Sequence, residues 1–231
     1  GLDYTPDEAE AFFFLGEAHS KRSEVAIREN DFLAAKKDYE MAFGYYMRAI
    51  ELNPSLKDQA YESMLFNYTQ RSNDAKNEFR SNYYEAAEGY FQLAYAAMPD
   101  SVAPIKNIAR MKIKLASEDN NADLLNEALV LLDQVIEKSP EAYLLKTDKA
   151  TVLTKLGRNE EASLLYDNLL QEHPDDTDLL IDVARLSEAD EKLEHAAELY
   201  VRVIDIYETD EDPLNDEEVY YLALQAAVYF G

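Results

Sequence analysis

Apolar side chains recur along this chain at the spacing of α-helices. Five alanines, separated by 45, 41, 34 and 34 residues, each begin the same pattern, with apolar side chains four and seven residues later. Positions i, i+4 and i+7 lie on one face of a helix, so each triplet predicts a buried helical stripe. The five triplets are Ala42, Tyr46 and Ala49; Ala87, Phe91 and Ala94; Ala128, Leu132 and Val135; Ala162, Tyr166 and Leu169; and Ala196, Tyr200 and Val203.

Prolines follow the first four alanines in a constant phase. Pro54, Pro99, Pro140 and Pro174 each stand twelve residues after the alanine, and Glu208 takes the fifth place. Proline cannot continue a helix, so each one marks the end of a helical segment. We therefore predict a single all-α domain, residues 1–231, with helix pairs in residues 5–54, 55–99, 100–140, 141–174 and 175–208 and a final helix in residues 215–230.

The order of alanine, aromatic residue and proline resembles the tetratricopeptide repeat (TPR), a helix–turn–helix unit of 34 residues. The copy that matches the family best runs from Tyr143 to Pro174 and has Gly157 at its turn. The resemblance covers nearly the whole chain. It implies an all-α fold, a right-handed α-α superhelix (solenoid) of about five helix hairpins plus a C-terminal helix.

The first three repeats are longer than the family's unit. The family places about 13 residues between the large anchor of the first helix and the repeat alanine. Here Leu15, Met64 and Ile108 precede their alanines by 27, 23 and 20 residues. The excesses are close to four, three and two whole helical turns, so longer helices would keep the same face toward the core. Leu65 is an alternative to Met64 as the second anchor.

Composition and charge limit the class of partner. Hydrophobic residues make up 47% of the 231 residues, and Gly and Pro number only 6 and 7, which favours helices with a substantial buried core. The formal net charge of −25 argues against nucleic acid or an anionic bilayer as the main ligand. A basic or neutral protein is an easier partner, although an acidic surface also serves solubility alone.

The sequence offers no recognisable catalytic chemistry. There is no cysteine, and therefore no disulfide, thiolate metal site or thiol nucleophile. His19, His173 and His195 do not have the spacing of metal ligands, and no glycine-rich phosphate loop or nucleophile elbow is present. We predict a protein that is not an enzyme, needs no cofactor and does not insert into a membrane. The lack of cysteine favours the bacterial periplasm or cell envelope over the cytoplasm.

One segment, residues 101–116, departs from the acidic background. It carries Lys106, Arg110, Lys112 and Lys114 and no acidic residue. Like charges at i, i+4 and i+8 repel one another along a helix, so an acidic group should compensate them. That group could belong to this chain, with Glu62 as one candidate, or to a partner as an acidic peptide or a C-terminal carboxylate.

The TPR resemblance also implies where a partner binds. Members of the family hold extended peptides on the concave face lined by the first helix of each hairpin. The family's lysine and asparagine clamp for a terminal carboxylate is not reproduced here. The side chains that we expect on the concave face are Phe13, Glu17, Glu62, Phe66, Lys106, Arg110, Lys114, Thr151, Lys155 and Arg185.

These observations favour a protein–protein interaction scaffold or adaptor that holds a peptide or helix in this groove. In this hypothesis Lys106 and Arg110 supply central polar contacts, and Phe13 or Phe66 anchors an apolar side chain. Two alternatives stay open. The chain could be a structural subunit that self-associates through its elongated hairpins, or the regulatory TPR arm of a longer enzyme.

Overall fold

The computed structural model describes residues 6–119 and 121–208, together with residues 221, 224 and 228. In the two long ranges the chain forms consecutive α-helices, joined in pairs by short turns, and no strand. A 3₁₀-helix, Pro54–Leu56, precedes α3. The helices are α1 Pro6–Arg28, α2 Phe32–Leu52, α3 Lys57–Arg80, α4 Tyr84–Ala97, α5 Ala103–Asp119, α6 Ala122–Lys138, α7 Tyr143–Lys155, α8 Asn159–Glu172, α9 Thr177–Ala189 and α10 Leu193–Glu208.

The described residues divide into two compact units, the first ending at Met111 and the second beginning at Lys112, so the boundary falls within α5. The single-domain organisation stays a prediction. The helix predicted in residues 215–230 lies outside the described ranges, apart from three isolated positions.

The second helix of each hairpin carries the repeat triplet on its buried face. All fifteen triplet residues, from Ala42 to Val203, are buried. Each of the four phased prolines stands two residues beyond a helix end, as Pro174 does after α8. Alanine at the first position of the triplet leaves room for close helix packing, and the larger side chain one turn later fills the space between the helices.

The elongation predicted for the first three hairpins is confirmed, but it is distributed unevenly. The helices of the first hairpin have 23 and 21 residues, those of the second 24 and 14, and those of the third 17 and 17. In the fourth hairpin they have 13 and 14. The extra length of the second hairpin therefore belongs to α3 alone, whereas in the first hairpin both helices are extended.

Burial tests the anchors that the sequence predicted for α3 and α1. Met64 is only 2% exposed whereas Leu65 is 51% exposed, so Met64 is the residue of α3 that faces the core. The choice of Leu15 in α1 was wrong, because that side chain is 42% exposed and is not part of the core. The neighbouring Gly16 is the residue that packs closely, against the ring of Tyr46 on α2. Glycine takes this place because the Tyr46 ring occupies the space that a Cβ atom would need.

Alanine at Gly16 should therefore lower the free energy of unfolding by about 1–3 kcal/mol, the usual cost of overpacking. A Cβ atom at this position would lie 2.6 Å from Cε1 of Tyr46. Gly44→Ala on α2 is the matched control, because no atom lies within 4 Å of its added Cβ. Helix propensity alone should make that variant about 0.5–1 kcal/mol more stable. Urea unfolding followed by circular dichroism measures both, and stabilisation by both substitutions would contradict the close packing.

Candidate peptide-binding groove

An open groove of about 630 Å³ lies between α1 and α3, the first helices of the first two hairpins. It is contained within the first unit. Four of the side chains that the sequence placed on the concave face line it together. The lining residues are Phe13, Phe14, Glu17, Ser20, Lys21, Glu24, Gln59, Glu62, Ser63, Phe66 and Asn67.

Three side-chain hydrogen bonds join α1 to α3 beneath the groove. Their donors on α3 are spaced by four residues, so they project from one face of the helix toward α1. Ser63 Oγ donates to Glu17 Oε1 (2.6 Å), Asn67 Nδ2 donates to Ser20 Oγ (3.1 Å), and Arg71 Nη1 donates to Glu24 Oε2 (3.5 Å). This row of contacts crosses between two hairpins and fixes the rotation of each helix about its axis.

Two buried tyrosines of α2 support the same acidic side chains from below. The Tyr46 hydroxyl donates to Glu17 Oε1 at 2.7 Å, and the Tyr39 hydroxyl donates to Glu24 Oε1 at 2.9 Å. Burial raises the pKa of both tyrosines above the ordinary value, so both hydroxyls keep the proton that they donate. Tyr39 and Tyr46 are seven residues apart, which places them on one face of α2, two turns from each other.

Arg71 of α3 is shared between two carboxylates at one end of the groove. Besides its contact with Glu24, its Nη2 lies 3.2 Å from Asp74 Oδ2. The Arg71 side chain is buried, and its Nε has no hydrogen-bond partner within the described part of the chain. One guanidinium thus faces two acidic groups, so the negative charge at this end is only partly compensated.

Two exposed phenylalanine rings lie on the walls of the groove. Phe14 of α1 is 64% exposed and Phe66 of α3 is 62% exposed. Phe13 lines the groove but belongs to the core, with its ring centroid 5.7 Å from that of Tyr46. Of the two predicted anchors, therefore, Phe66 is accessible and Phe13 is buried.

Sequence reasoning missed Phe14 and most of the polar floor. Three consecutive phenylalanines span about 200° of a helix, which is more than one buried stripe can hold, so one exposed ring could have been expected. The polar floor also has a signal, because Glu17, Ser20 and Glu24 recur at helical spacing, as do Ser63 and Asn67.

Comparisons with known proteins identify the repeat. Residues 119–219 match the family described as the Psidin N-terminal TPR repeats region. The structure is similar to MamA from Desulfovibrio magneticus RS-1, residue 41 to the end, with a TM-score of 0.55 and 16% identity over 71% of this chain and 91% of MamA. The tetratricopeptide repeat is thus matched as a family in residues 119–219, and the fold is that of solved TPR structures.

Two further TPR structures align over almost the whole chain. The thermophilic TPR protein TTC0263 from Thermus thermophilus aligns with a TM-score of 0.53 and 16% identity, over 93% of this chain and 98% of that one. YrrB, a TPR protein with an unusual peptide-binding site, aligns with a TM-score of 0.52 and 18% identity, over 95% and 99%. Identities this low show the fold alone. The structural alignments confirm the predicted all-α helical-repeat fold class. A comparison with curated protein sequences finds no match.

The basic residues of the third TPR hairpin do not line the groove. Lys106 is half-buried and Arg110 is exposed, both in the first unit, whereas the exposed Lys114 belongs to the second. Lys112 is buried, with its Nζ 2.7 Å from Glu127 Oε2 on α6. The acid that compensates Lys112 is therefore Glu127. Glu62, which the sequence suggested as an acid for the row of Lys106, Arg110 and Lys114, lines the groove between α1 and α3.

In the second unit, Asp182 brings together two of the predicted side chains of the fourth and fifth TPR hairpins. Thr151 Oγ1 donates to Asp182 Oδ2 at 3.4 Å, and Arg185 Nη1 lies 3.5 Å from Asp182 Oδ1. Burial raises the pKa of Asp182, and the nearby Arg185 opposes that shift. Lys155 is exposed in the last turn of α7. Burial also raises the pKa of Tyr166, whose hydroxyl lies 3.3 Å from Thr151, to about 12.

Each of the three histidines contacts a neighbouring side chain, and the His173 ring centroid lies 4.0 Å from that of Tyr143. His19 Nδ1 lies 2.7 Å from Asp38 Oδ1 in a buried pair, and His195 Nδ1 lies 3.0 Å from Ser187 Oγ. Within residues 6–119 and 121–208, no three metal-ligating side chains come together. Over the same ranges, none of the helices combines the length and apolar character that crossing a membrane requires.

Proposed function

We propose that this TPR chain is a non-enzymatic scaffold or adaptor, and that its groove between α1 and α3 binds a peptide or helix of a partner protein. The observation that carries the proposal is the pair of exposed rings, Phe14 and Phe66, on the walls of a groove whose floor is fixed by hydrogen bonds. Exposed aromatic rings around a concave site are typical of protein-binding surfaces.

The exposed rings can supply binding energy. Covering the accessible part of one phenylalanine side chain contributes about 1–2 kcal/mol, at roughly 25 cal/mol per Å² of apolar surface. The floor makes a further contribution, because Glu17 and Glu24 are already held by the tyrosines of α2. Side chains that are ordered before binding lose little entropy when a partner arrives.

The size of the groove suits a short segment. Its α1 wall runs from Phe13 to Glu24, which is about 16 Å at 1.5 Å per residue. That length accommodates about five residues of extended chain or about three turns of helix. YrrB, which has this fold, is a TPR protein with a peptide-binding site. This supports peptide binding as a type of function that the fold can perform.

Other predictions made from the sequence also stay proposals. Lys106 and Arg110 are a separate candidate contact for an acidic group of a partner, and Thr151, Lys155 and Arg185 are candidates on the second unit. Self-association through the elongated hairpins, a place within a longer enzyme and a location in the bacterial envelope stay predictions as well.

Alanine at Phe14 or at Phe66 should weaken peptide binding by about tenfold each, since exposed aromatic anchors carry much of the energy of such interfaces. Peptides selected from a displayed random library against the native chain would serve as ligands, with the dissociation constant measured by calorimetry. Leu164→Ala is the matched control, because Leu164 is equally exposed but lies on α8 in the second unit. If the Phe14 and Phe66 variants bind every selected peptide within twofold of the native chain, the groove is not the binding site.

A further inference from the structure

We infer that the partner segment of this groove is basic, with a lysine or arginine next to an apolar side chain. The inference rests on the proposed function and names the chemistry of its ligand. Three carboxylates, those of Glu17, Glu24 and Glu62, line the groove against the single ammonium group of Lys21. A cationic segment would gain from this arrangement, whereas an acidic one would be repelled by it.

The carboxylate of Glu17 is held in place for such a contact. Its Oε1 accepts hydrogen bonds from both Tyr46 and Ser63. In the part of the chain that the structure describes, no donor contacts its Oε2. Because a carboxylate oxygen can accept two hydrogen bonds, Glu17 retains capacity for a guanidinium or ammonium donor of a partner.

The negative charge of Glu24 is only partly compensated by its neighbour Arg71. Arg71 lies 3.5 Å from it, which is long for an ion pair, and the same guanidinium is 3.2 Å from Asp74. The Glu24 side chain is also partly exposed. A cation arriving in the groove would therefore meet a carboxylate whose one ion-pair partner among the described residues, Arg71, is already shared.

Glu62 and Phe66 together define the shape of the side chain that fits. They are four residues apart on α3, so they are neighbours on one face, and both are exposed. A carboxylate beside an aromatic face matches the two ends of an arginine or lysine, because the methylene stem packs on the ring while the charged head pairs with the acid. Phe14 on the opposite wall remains for an adjacent apolar side chain.

The net charge of −25 requires a control, since any cationic peptide is attracted to this chain at long range. The inference concerns a local site, so local and remote charges must act differently. Lys21 gives a test of opposite sign, because it is the one basic side chain among the described residues that line the groove. Removing its charge should strengthen the binding of a basic segment more than removing the charge of Lys192, an exposed side chain in the second unit, because both changes alter the net charge equally.

The experiment measures the fluorescence anisotropy of three labelled twelve-residue peptides at physiological salt. One alternates arginine and leucine, one alternates glutamate and leucine, and one carries arginine with glycine and serine. We expect the arginine–leucine peptide to bind at least tenfold more tightly than the other two. Glu62→Gln should weaken it about twofold to fivefold, the range of exposed ion pairs, and Lys21→Gln should strengthen it about twofold. Two controls in the second unit should leave it unchanged: Glu160→Gln, an exposed acid on α8, and Lys192→Gln, an exposed base.

The outcomes separate this inference from the proposed function. Equal weakening by Glu62→Gln and Glu160→Gln, or equal strengthening by Lys21→Gln and Lys192→Gln, would show diffuse attraction and overturn the basic-partner assignment. Weaker binding by Lys21→Gln would overturn it as well. Tight binding of the glutamate–leucine peptide that is lost with Phe66→Ala would overturn it too, while leaving the groove as the binding site. Binding of all three peptides that is indifferent to Phe66→Ala, or no binding of any, would contradict both proposals.

Discussion

Alanine at Tyr46 should lower the free energy of unfolding by about 3–5 kcal/mol, the usual cost of deleting a large buried side chain. Tyr46 is 1% exposed and occupies the central position of the first repeat triplet. Its ring contacts Phe13, and its hydroxyl holds Glu17 and lies 3.3 Å from Ser20. The variant therefore opens a cavity and also removes a donor from the groove floor.

Phenylalanine at the same position separates the two contributions. Tyr46→Phe keeps the ring and should cost about 1–2 kcal/mol, because Glu17 and Ser20 lose a buried hydrogen-bond partner. Tyr83→Ala is the control, since Tyr83 is a largely exposed residue in the turn before α4 and should change stability by less than about 0.5 kcal/mol. Chemical denaturation measures all three. A loss below about 1 kcal/mol for Tyr46→Ala would contradict its place in the core.

The adjacent residues Met64 and Leu65 should respond in opposite ways to alanine. Met64→Ala should lower the free energy of unfolding by about 2–5 kcal/mol, because the side chain is buried in the cluster formed with Phe13, Tyr46 and Ala60. Leu65→Ala should cost less than about 0.5 kcal/mol, because more than half of that side chain is already in water. Thermal or urea unfolding of the two variants provides the comparison.

This pair of variants tests the rotation of α3 about its own axis. If Leu65→Ala were the more damaging change, α3 would be turned by about 100° from the position described. Ser63, Asn67 and Arg71 would then no longer face α1, and the hydrogen bonds beneath the groove would be lost. The stability of two neighbouring variants therefore bears directly on the geometry of the candidate site.

Helical periodicity was sufficient to predict the repeat because it reports local burial. The alanine of each triplet and the large side chain one turn later lie on one helical stripe whatever the neighbouring hairpin does, and both proved buried, as Ala162 and Tyr166 illustrate. The elongation was also predictable, since insertions of whole turns preserve the buried face. The division of the extra residues between the two helices of a hairpin was not predictable, because it depends on where the turn falls.

The candidate site was predicted only in part, for a physical reason. Glu17, Glu62 and Phe66 fall on one side of their helices by periodicity, and the structure brings them into one groove. The contacts beneath it, such as Asn67 with Ser20, join helices from different hairpins. Their pairing depends on the relative shift and rotation of two helices, which the pattern along a single helix does not contain. The pairing of Lys112 with Glu127 escaped prediction for the same reason.

Chemical-shift mapping by NMR on the intact, ¹⁵N-labelled chain tests the central claim most directly, with the arginine–leucine peptide as titrant. We expect the largest amide shifts on α1 between Phe13 and Glu24 and on α3 between Gln59 and Asn67, and we expect Phe66→Ala to remove them. Shifts spread over exposed acidic residues of both units, or concentrated on α5, α7 or α9 with α1 and α3 unaffected, would contradict it.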